Sequence, residues 1–302
     1  MSDVQNRIVS GANIFPEVLV PNLVNLVRGH SALAKLCGAT PIAFNGQREF
    51  TFTMDKEVDI VAESGAKSKG GITVAPVTIV PIKFEYGARV SDEFRYGSDE
   101  VRLQYLTAFA EGFANKLARG LDIAAFHGLN PRTGTASTVV GSNNFDTAVT
   151  TKTTYNDSTP DPEGNLETAV AALRALEKDV TGVVMTPAFA SALAQVKVNG
   201  VPQYPEFRFG QNPDAFAGMG SDVNSTLAAA SSKDRAIVGD FAGAFRWGYA
   251  KEIPLEVIEY GNPDNDATLG DLKGHNQVYL RAEAYIGWGI LDAAAFHRIA
   301  IA

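Results

Sequence analysis

The sequence predicts an α+β fold from which one hairpin projects, and three observations predict it. Apolar and polar residues alternate on either side of a glycine-rich turn over residues 48–86, which indicates a long β-hairpin. A continuous helical pattern follows over residues 98–127. The rest of the chain alternates short apolar runs with amphipathic segments, which is typical of mixed helix and sheet.

Composition and charge argue against several classes of function. With 302 residues, of which 45% are hydrophobic, the chain can bury a sizeable core. Its 34 acidic residues outnumber 26 basic ones, and no basic run is present, so specific DNA or RNA binding is not expected. No apolar run is long enough to span a bilayer, and the N-terminus lacks the layout of a signal peptide, so no membrane partner is expected. The single cysteine, Cys37, is expected to be a small buried residue.

Residues 1–45 are predicted to form an extended N-terminal arm. Pro16, Pro21 and Pro41 interrupt this segment, and only residues 17–35 leave room for a helix. Such a thin segment cannot bury its own apolar side chains. We therefore expect the arm to lie on another part of an assembly.

The hairpin that follows has a polar tip at residues 63–71. Phe50, Phe52 and Met54 alternate with polar residues on the first strand, and the return strand is predicted to include Val80 and Ile82. A strand of ten residues would project roughly 33 Å. Because a two-stranded hairpin is marginally stable alone, a neighbouring subunit is its natural support. The tip residues expected to make this contact are Glu63, Ser64, Gly65, Lys67, Lys69, Gly70 and Gly71.

The long helix has recognisable ends. Ser98 is a plausible N-cap, and Gly128 followed by Pro131 is expected to stop the helix. Apolar residues recur at every fourth position from Val101 to Leu121, which advances the stripe by about 40° per step. The stripe therefore winds around the helix, and its two ends are expected to face different partners.

The second half of the chain is predicted as alternating helices and strands. Residues 132–162 resemble turns with short strands, and residues 199–230 a long excursion rich in glycine and proline. Helices are predicted at 164–179 and 188–196. Strands are predicted at 182–187, 236–239, 253–258, 277–285 and 290–299, with a polar loop at 261–275.

A search for catalytic or ligand-binding motifs finds no pattern that predicts an enzyme. The four histidines are far apart and lack metal-ligand spacing, so each is expected at the surface or as a helix cap. No Gly-x-Ser-x-Gly motif is present. Residues 65–70 begin like a phosphate loop, but Gly71 stands where the lysine is required. The sequence therefore predicts no catalytic residue, cofactor or metal.

Several segments, taken in order, resemble one protein family. Residues 61–71 and 77–94 are similar to an extended loop and its return, and 90–93 (Val-Ser-Asp-Glu) match a Val-Ser-x-Glu element before a spine helix. Residues 117–134 are similar to the end of that spine, 237–241 to a Gly-Asp-Phe strand and turn, and 277–299 to closing strands. In this order they resemble the major capsid proteins of tailed phages, which have the Hong Kong 97 type of fold.

This resemblance implies a division of the chain. It implies an N-terminal arm at 1–45, an extended loop at 46–86, and a peripheral domain at 87–163 that contains the spine helix. An axial domain at 164–276 and closing strands at 277–302 complete it. The implied function is a shell subunit that assembles as hexamers and pentamers into the icosahedral head.

The resemblance also implies the partners and the location. Copies of the chain itself are the main partners, with a portal, a separate scaffolding protein and a decoration protein as further ones. Double-stranded DNA would be enclosed without specific binding. The implied location is the virion, after assembly in the host cytoplasm.

Two alternatives remain open from the sequence. An encapsulin-type nanocompartment shell would share this fold, but the long arm and long hairpin favour a phage head. An α/β enzyme is the second alternative, and the missing site chemistry argues against it. Some relatives link subunits through a Lys–Asn isopeptide bond; Lys67 and Lys69 lie at the tip, but no partner residues are identified.

Overall fold

The computed structural model describes residues 31–251 and 255–302. Most of the predicted arm, including most of the helix predicted at 17–35, lies outside the described residues, as does the start of the strand predicted at 253–258. The α-helices described are α1 (Ala32–Leu36), α2 (Asp99–His127), α3 (Phe145–Ala148), α4 (Pro162–Ala175) and α5 (Pro187–Gln195). The strands are β1 (Gln47–Met54), β2 (Ile72–Ile79), β3 (Ile82–Ser91), β4 (Lys152–Tyr155), β5 (Gly182–Met185), β6 (Lys197–Val198), β7 (Val201–Pro202), β8 (Ala215–Phe216), β9 (Met219–Val223), β10 (Asp234–Gly239), β11 (Phe245–Lys251), β12 (Leu255–Ile258), β13 (Gln277–Ile290) and β14 (Phe296–Ile301).

The segment 31–42, here called the strap, is part of the core of the same chain. The backbone N–H groups of Thr40 and Ile42 donate to the carbonyls of Trp247 and Tyr249 on β11, at 2.9 and 3.1 Å. At its other end, Leu36 contacts the sheet through the space left at Gly182 and Gly220. The prediction that the arm extends to residue 45 on another surface is therefore wrong for the strap, because its burial depends on strands more than 140 residues away.

The hairpin consists of β1 and β2, and it ends earlier than predicted. Gln47 pairs with Ile79 and Met54 with Ile72, in antiparallel register. The predicted return strand at 80–86 is wrong: β3 begins at Ile82 and pairs with β13 instead. Val80 and Pro81 separate the two strands, because proline has no N–H to continue a ladder. Strands of eight residues extend about 26 Å.

Helix α2 has the ends that the sequence predicts. The Ser98 side chain accepts from the N–H of Val101, which caps the start. Gly128 has φ 66°, the left-handed conformation in which glycine carries no Cβ penalty, and its N–H donates to Ala124 at the end. Over 29 residues the helix is about 44 Å long.

Two sheets form the body with α2. A four-stranded sheet has β13 at its centre, with β3 on one edge and β11 and β12 on the other. A six-stranded sheet has the order β4-β14-β10-β5-β9-β8, and its pairs β4–β14 and β5–β9 are parallel. The strands β9 and β11 were not predicted. The pairings of β9 with β5 and of β11 with β13 join residues far apart in sequence, so the local pattern gives little signal for them.

The buried side chains form two clusters. The larger one joins the strap, the C-terminal half of α2 and the four-stranded sheet, and its largest members are Trp247, Trp288, Phe126, Phe145 and Phe296. The second lies between the six-stranded sheet and helices α4 and α5, around Phe189 and Leu173. Neither cluster includes a residue of the hairpin, although Ile79 at its base is fully buried. It is therefore the part of the described chain that its own body supports least.

Candidate intersubunit surfaces

The hairpin is an amphipathic ribbon. Because residues paired across antiparallel strands point to the same side, Phe50 lies beside Pro76, Phe52 beside Val74, and Met54 beside Ile72. We call these six residues the apolar ribbon face. The opposite side carries Thr51, Thr53 and their partners Ala75 and Thr73.

The apolar ribbon face is open to solvent in the single chain. Phe52 is 69% exposed and Met54 is 74% exposed, although residues of this kind are normally buried. Beyond the strands, Val58 and Ile60 are exposed almost completely. A contiguous apolar surface of this kind is typical of a protein–protein contact.

The base of the ribbon is fixed to the body by close packing. A Cβ placed at Gly289 would lie 2.8 Å from Ile79 Cγ1, and one at Gly287 would lie 3.0 Å from Ile79 Cγ2. These two glycines of β13 let the ribbon approach the sheet closely. The ribbon therefore leaves the body at a defined position, with its distal part uncovered.

The tip of the ribbon is longer than the sequence suggests. Residues 55–71 have no helix or strand, and they include every tip residue predicted to contact a neighbour. The Asp55 carboxylate accepts from the Gly71 N–H at 2.6 Å, and the Lys56 ammonium donates to the Lys69 carbonyl at 3.3 Å. The predicted residues, from Glu63 to Gly71, are all exposed, and their described hydrogen bonds stay within the hairpin, so their role as intersubunit contacts stays a prediction.

Further exposed apolar residues lie around the N-terminal half of α2. Val101, Leu103 and Tyr105 are 42–55% exposed, and Tyr96, just before the helix, is 83% exposed. From Phe113 onward the apolar stripe is buried. Together with the ribbon, this half-helix concentrates the large exposed apolar residues of the described chain within residues 44–105.

A buried carboxylate, Asp122, joins the strap to α2, and the sequence reasoning missed it. Its oxygens accept from the Ser31 hydroxyl at 2.6 Å and from the Ala32 N–H at 2.9 Å. The Thr226 hydroxyl and the Leu33 N–H also donate to this carboxylate, at 3.0 and 3.3 Å. Burial raises the pKa of Asp122 to about 6, although these hydrogen bonds favour the charged form. A lone acidic residue within the apolar stretch 121–126 was the available signal.

His127, Asp146 and Asp234 come close enough together to suggest a metal site, but an arginine already occupies the position between the carboxylates. Arg298 contacts Asp234 at 3.0 Å and Asp146 at 2.7 Å. His127 Nδ1 lies 2.9 Å from Asp146. Burial raises the pKa of Asp234 to about 6. Because the guanidinium offsets the two carboxylates, we interpret this group as a buried ion network that joins α2, α3 and the six-stranded sheet.

The placement of the histidines and the cysteine partly contradicts the sequence expectations. His127 and His297 are buried, so the expectation of surface or capping roles is wrong for their side chains. His275 is exposed, and His30 lies outside the described residues. Cys37 is buried as expected, and desolvation raises the pKa of its thiol to about 11. A thiol of that kind is not poised for nucleophilic chemistry.

The described helices include none with the length and hydropathy of a membrane span. Two grooves of the described surface lie in the region of residues 163–223, and their lining residues do not form a catalytic constellation. The geometry therefore points to contact between proteins at the ribbon and the exposed half of α2.

Comparison with known proteins gives one family. The model of the phage capsid family matches residues 11–301. None of the curated proteins matches the chain. A structure from Mycobacterium phage Ogopogo is similar to this chain with 32% identity and a TM-score of 0.75, and the match covers 90% of this chain and 92% of that one.

Two further structures extend the comparison. One from Gordonia phage Cozz has 25% identity and a TM-score of 0.71, with 89% of this chain and 86% of the other covered. The structure titled "Capsid of native GTA particle computed with C5 symmetry" shares the fold at 13% identity, with a TM-score of 0.63 and coverage of 96% and 92%.

Proposed function

The chain belongs to the phage capsid family as a major capsid protein of the Hong Kong 97 type, and from this premise we propose that its ribbon is the clamp between neighbouring subunits. Copies of the chain form the shell of a virion. We propose that they do so as hexamers and pentamers. The encapsulin-type alternative is not favoured, because the family and the similar structures are those of phage capsids.

The observation that carries the proposal is the uncovered apolar ribbon face. Its six residues are largely exposed in the single chain, and their exposure to water is unfavourable by about 25 cal/mol for each Å². A neighbouring copy that covered this face would remove that cost. The exposed N-terminal half of α2 offers apolar counterparts, with Val101 and Tyr105 on one side of the helix and Leu103 on the opposite side. In this proposal, the ribbon of one copy lies over that half-helix of the next.

The same proposal assigns a role to each segment of the chain. Residues 87–163 act as the peripheral domain, and residues 164–276 act as the axial domain around the symmetry axes. Portal, scaffolding and decoration proteins are the further partners. Assembly takes place in the host cytoplasm, and the finished shell encloses double-stranded DNA without specific binding. The role is structural, without a catalytic step.

A pair of matched double variants tests the clamp. Phe52→Ser with Val74→Ser changes two paired residues on the apolar ribbon face, and Thr53→Ser with Thr73→Ser changes the next pair on the opposite face. We expect the first variant to keep the circular dichroism of the wild-type subunit but to yield few shells by electron microscopy. The second should assemble normally. Equal shell yields from both variants would disprove the clamp.

The tip is tested separately by deletion of residues 63–71. We expect a folded subunit that assembles poorly, because the tip residues are exposed and support nothing else in their own chain. Shells with wild-type resistance to heat would show that the tip is dispensable, and the contact would then rest on the strands alone.

A further inference from the structure

An unusual aromatic residue protrudes from the 164–276 region. Phe209 is 97% exposed, and its φ of 58° places a bulky residue in the left-handed conformation. Gly210, with φ 74°, continues this turn. The Arg208 guanidinium lies over the ring, 5.5 Å from its centroid. The pair forms a cationic aromatic knob, held out from the surface by a backbone conformation that costs free energy.

Two grooves flank the region from which the knob protrudes, and they differ in charge. The groove beside the knob, of about 610 Å³, has Lys197 and Arg208 as its only charged lining residues. The second groove, of about 520 Å³, has an apolar floor with an acidic rim at Glu163 and Glu167. Its floor consists of Leu166, Val170, Leu193, Phe216 and Met219.

The two grooves lie on different sides of helix α5. From this helix, residues 187, 190, 191, 194 and 195 line the basic groove, and Leu193 alone lines the acidic one. Because helical residues are spaced by 100°, Leu193 lies roughly 130° from the middle of the other set. The rings of Phe207 and Phe216, with centroids 5.1 Å apart, separate the grooves.

Several acidic side chains near the acidic groove affect the Tyr204 hydroxyl. Burial, the hydrogen bond to Glu163, and the charges of Glu206 and Glu167 together raise the pKa of the Tyr204 hydroxyl. Arg174 also lines this groove, but it pairs with Asp179 at 3.7 Å. A cation that enters beside Tyr204 would therefore meet the carboxylates of Glu163 and Glu167, which line the same groove.

We propose that the Arg208–Phe209 knob of one copy inserts into the acidic groove of the next copy. The aromatic ring matches the apolar floor, and the guanidinium matches the Glu163 and Glu167 rim. Docking into the basic groove of another copy would instead place Arg208 against Lys197 and a second Arg208. A contact between two different surfaces of identical copies propagates from copy to copy, and it forms a closed ring when the rotation between copies closes. This inference rests on the proposed function, since it names the contact within one ring of subunits.

Disulfide cross-linking tests the contact in assembled shells. Phe209→Cys is combined with Ala217→Cys, an exposed position that lines the acidic groove, while the native Cys37 is buried. After oxidation we expect a ladder of linked chains on a denaturing gel that ends at the size of a ring. Each single variant should stay monomeric on the same gel.

The outcomes separate this inference from the proposed function. Shells that form without a ladder would overturn the knob contact alone, and Phe209→Cys dimers would indicate a two-fold contact and overturn it as well. If wild-type chain forms no shells, the proposed function fails.

A charge exchange covers the case in which the cysteine variants do not assemble. Arg208→Glu should raise the subunit concentration needed for ring formation by about tenfold, as should Glu167→Arg. The two changes together should recover much of the loss. Additive losses would count against the pairing.

Discussion

The two halves of helix α2 carry the same kind of apolar spacing but lie in different surroundings. In the C-terminal half, Phe113, Leu117 and Leu121 are at most 4% exposed, within the core of the chain. In the N-terminal half, Val101 and Tyr105 are 42% and 55% exposed. The same apolar stripe is therefore packed in the core at the C-terminal end of the helix and exposed to solvent at the N-terminal end.

This difference separates the apolar residues that stabilise the folded subunit from those that are available for contact with another subunit. The buried half meets the strap and the four-stranded sheet of its own chain, so it stabilises the subunit. The exposed half and the apolar ribbon face leave apolar surface uncovered in the same region of the chain. A variant in the first region should therefore change unfolding, and one in the second should change assembly.

The largest expected effect is a matched pair of leucine substitutions on α2. Leu121 is fully buried and Leu103 is 45% exposed. Leu121→Ala should lower the free energy of unfolding by about 2–5 kcal/mol, because it leaves a cavity. Leu103→Ala should change it by no more than about 0.5 kcal/mol but reduce shell yield. Urea unfolding of the unassembled subunit measures the first quantity, and similar losses for both variants would break the comparison.

The second expected effect is a pH dependence that arises from Asp122 in the buried half. Its pKa is about 6 in the fold, against 3.8 ordinarily, so the folded state binds the proton more tightly. The difference corresponds to about 3 kcal/mol of stability that is fully present below pH 3.8 and is lost as the pH rises through 6. The stability of the wild-type subunit relative to Asp122→Asn should therefore fall between pH 4 and 7.

The control for this profile lies on the same helix. Glu111 is exposed, and Glu111→Gln should keep the pH profile of the wild type. Urea midpoints at several pH values give the comparison. A profile for Asp122→Asn that is parallel to the wild type would show that this carboxyl does not titrate in the fold as proposed.

What the sequence predicted well depends on neighbours close in the chain. The bounds of α2 follow from Ser98 and Gly128, which cap it locally, and the alternation of Val278 and Leu280 marks β13. The Hong Kong 97 type of fold followed from the order of such segments, and the family match confirms it.

The features that the sequence did not predict depend on contacts between residues that are far apart in the chain. Alternation continues from β2 into β3, so periodicity could not show that Ile82 pairs with Ile286 rather than within the hairpin. The burial of the strap is likewise decided by β11. For the candidate contacts, the alternation along β1 already showed its apolar residues. Which residues of β2 lie on the same face could be known only from the pairing register of the two strands. The Arg208–Phe209 knob depends on the left-handed backbone conformation of Phe209, which no sequence motif predicts.

The smallest expected effect compares the two long loops of the chain, the ribbon tip at 55–71 and the loop at 261–275. Arg89 holds the second loop: it donates to Asp264 at 2.8 Å, to Asn262 at 2.7 Å and to the Gly270 carbonyl at 2.9 Å. This guanidinium lowers the pKa of Asp264 to about 2. The tip has no comparable anchor among the described contacts beyond those of Asp55 and Lys56 at its base.

Arg89→Lys keeps the charge but removes the planar fork of donors that reaches several loop groups at once. We expect amide hydrogens between Gly261 and Leu272 to exchange several-fold faster in this variant, because the loop opens locally without global unfolding. Exchange at the tip should stay as fast as in the wild type. Hydrogen-exchange mass spectrometry of the unassembled subunit reports both loops in one experiment. Unchanged protection of the loop would mean that its own Asp266 and Asp271 hydrogen bonds suffice, and that both loops are organised locally rather than by the body.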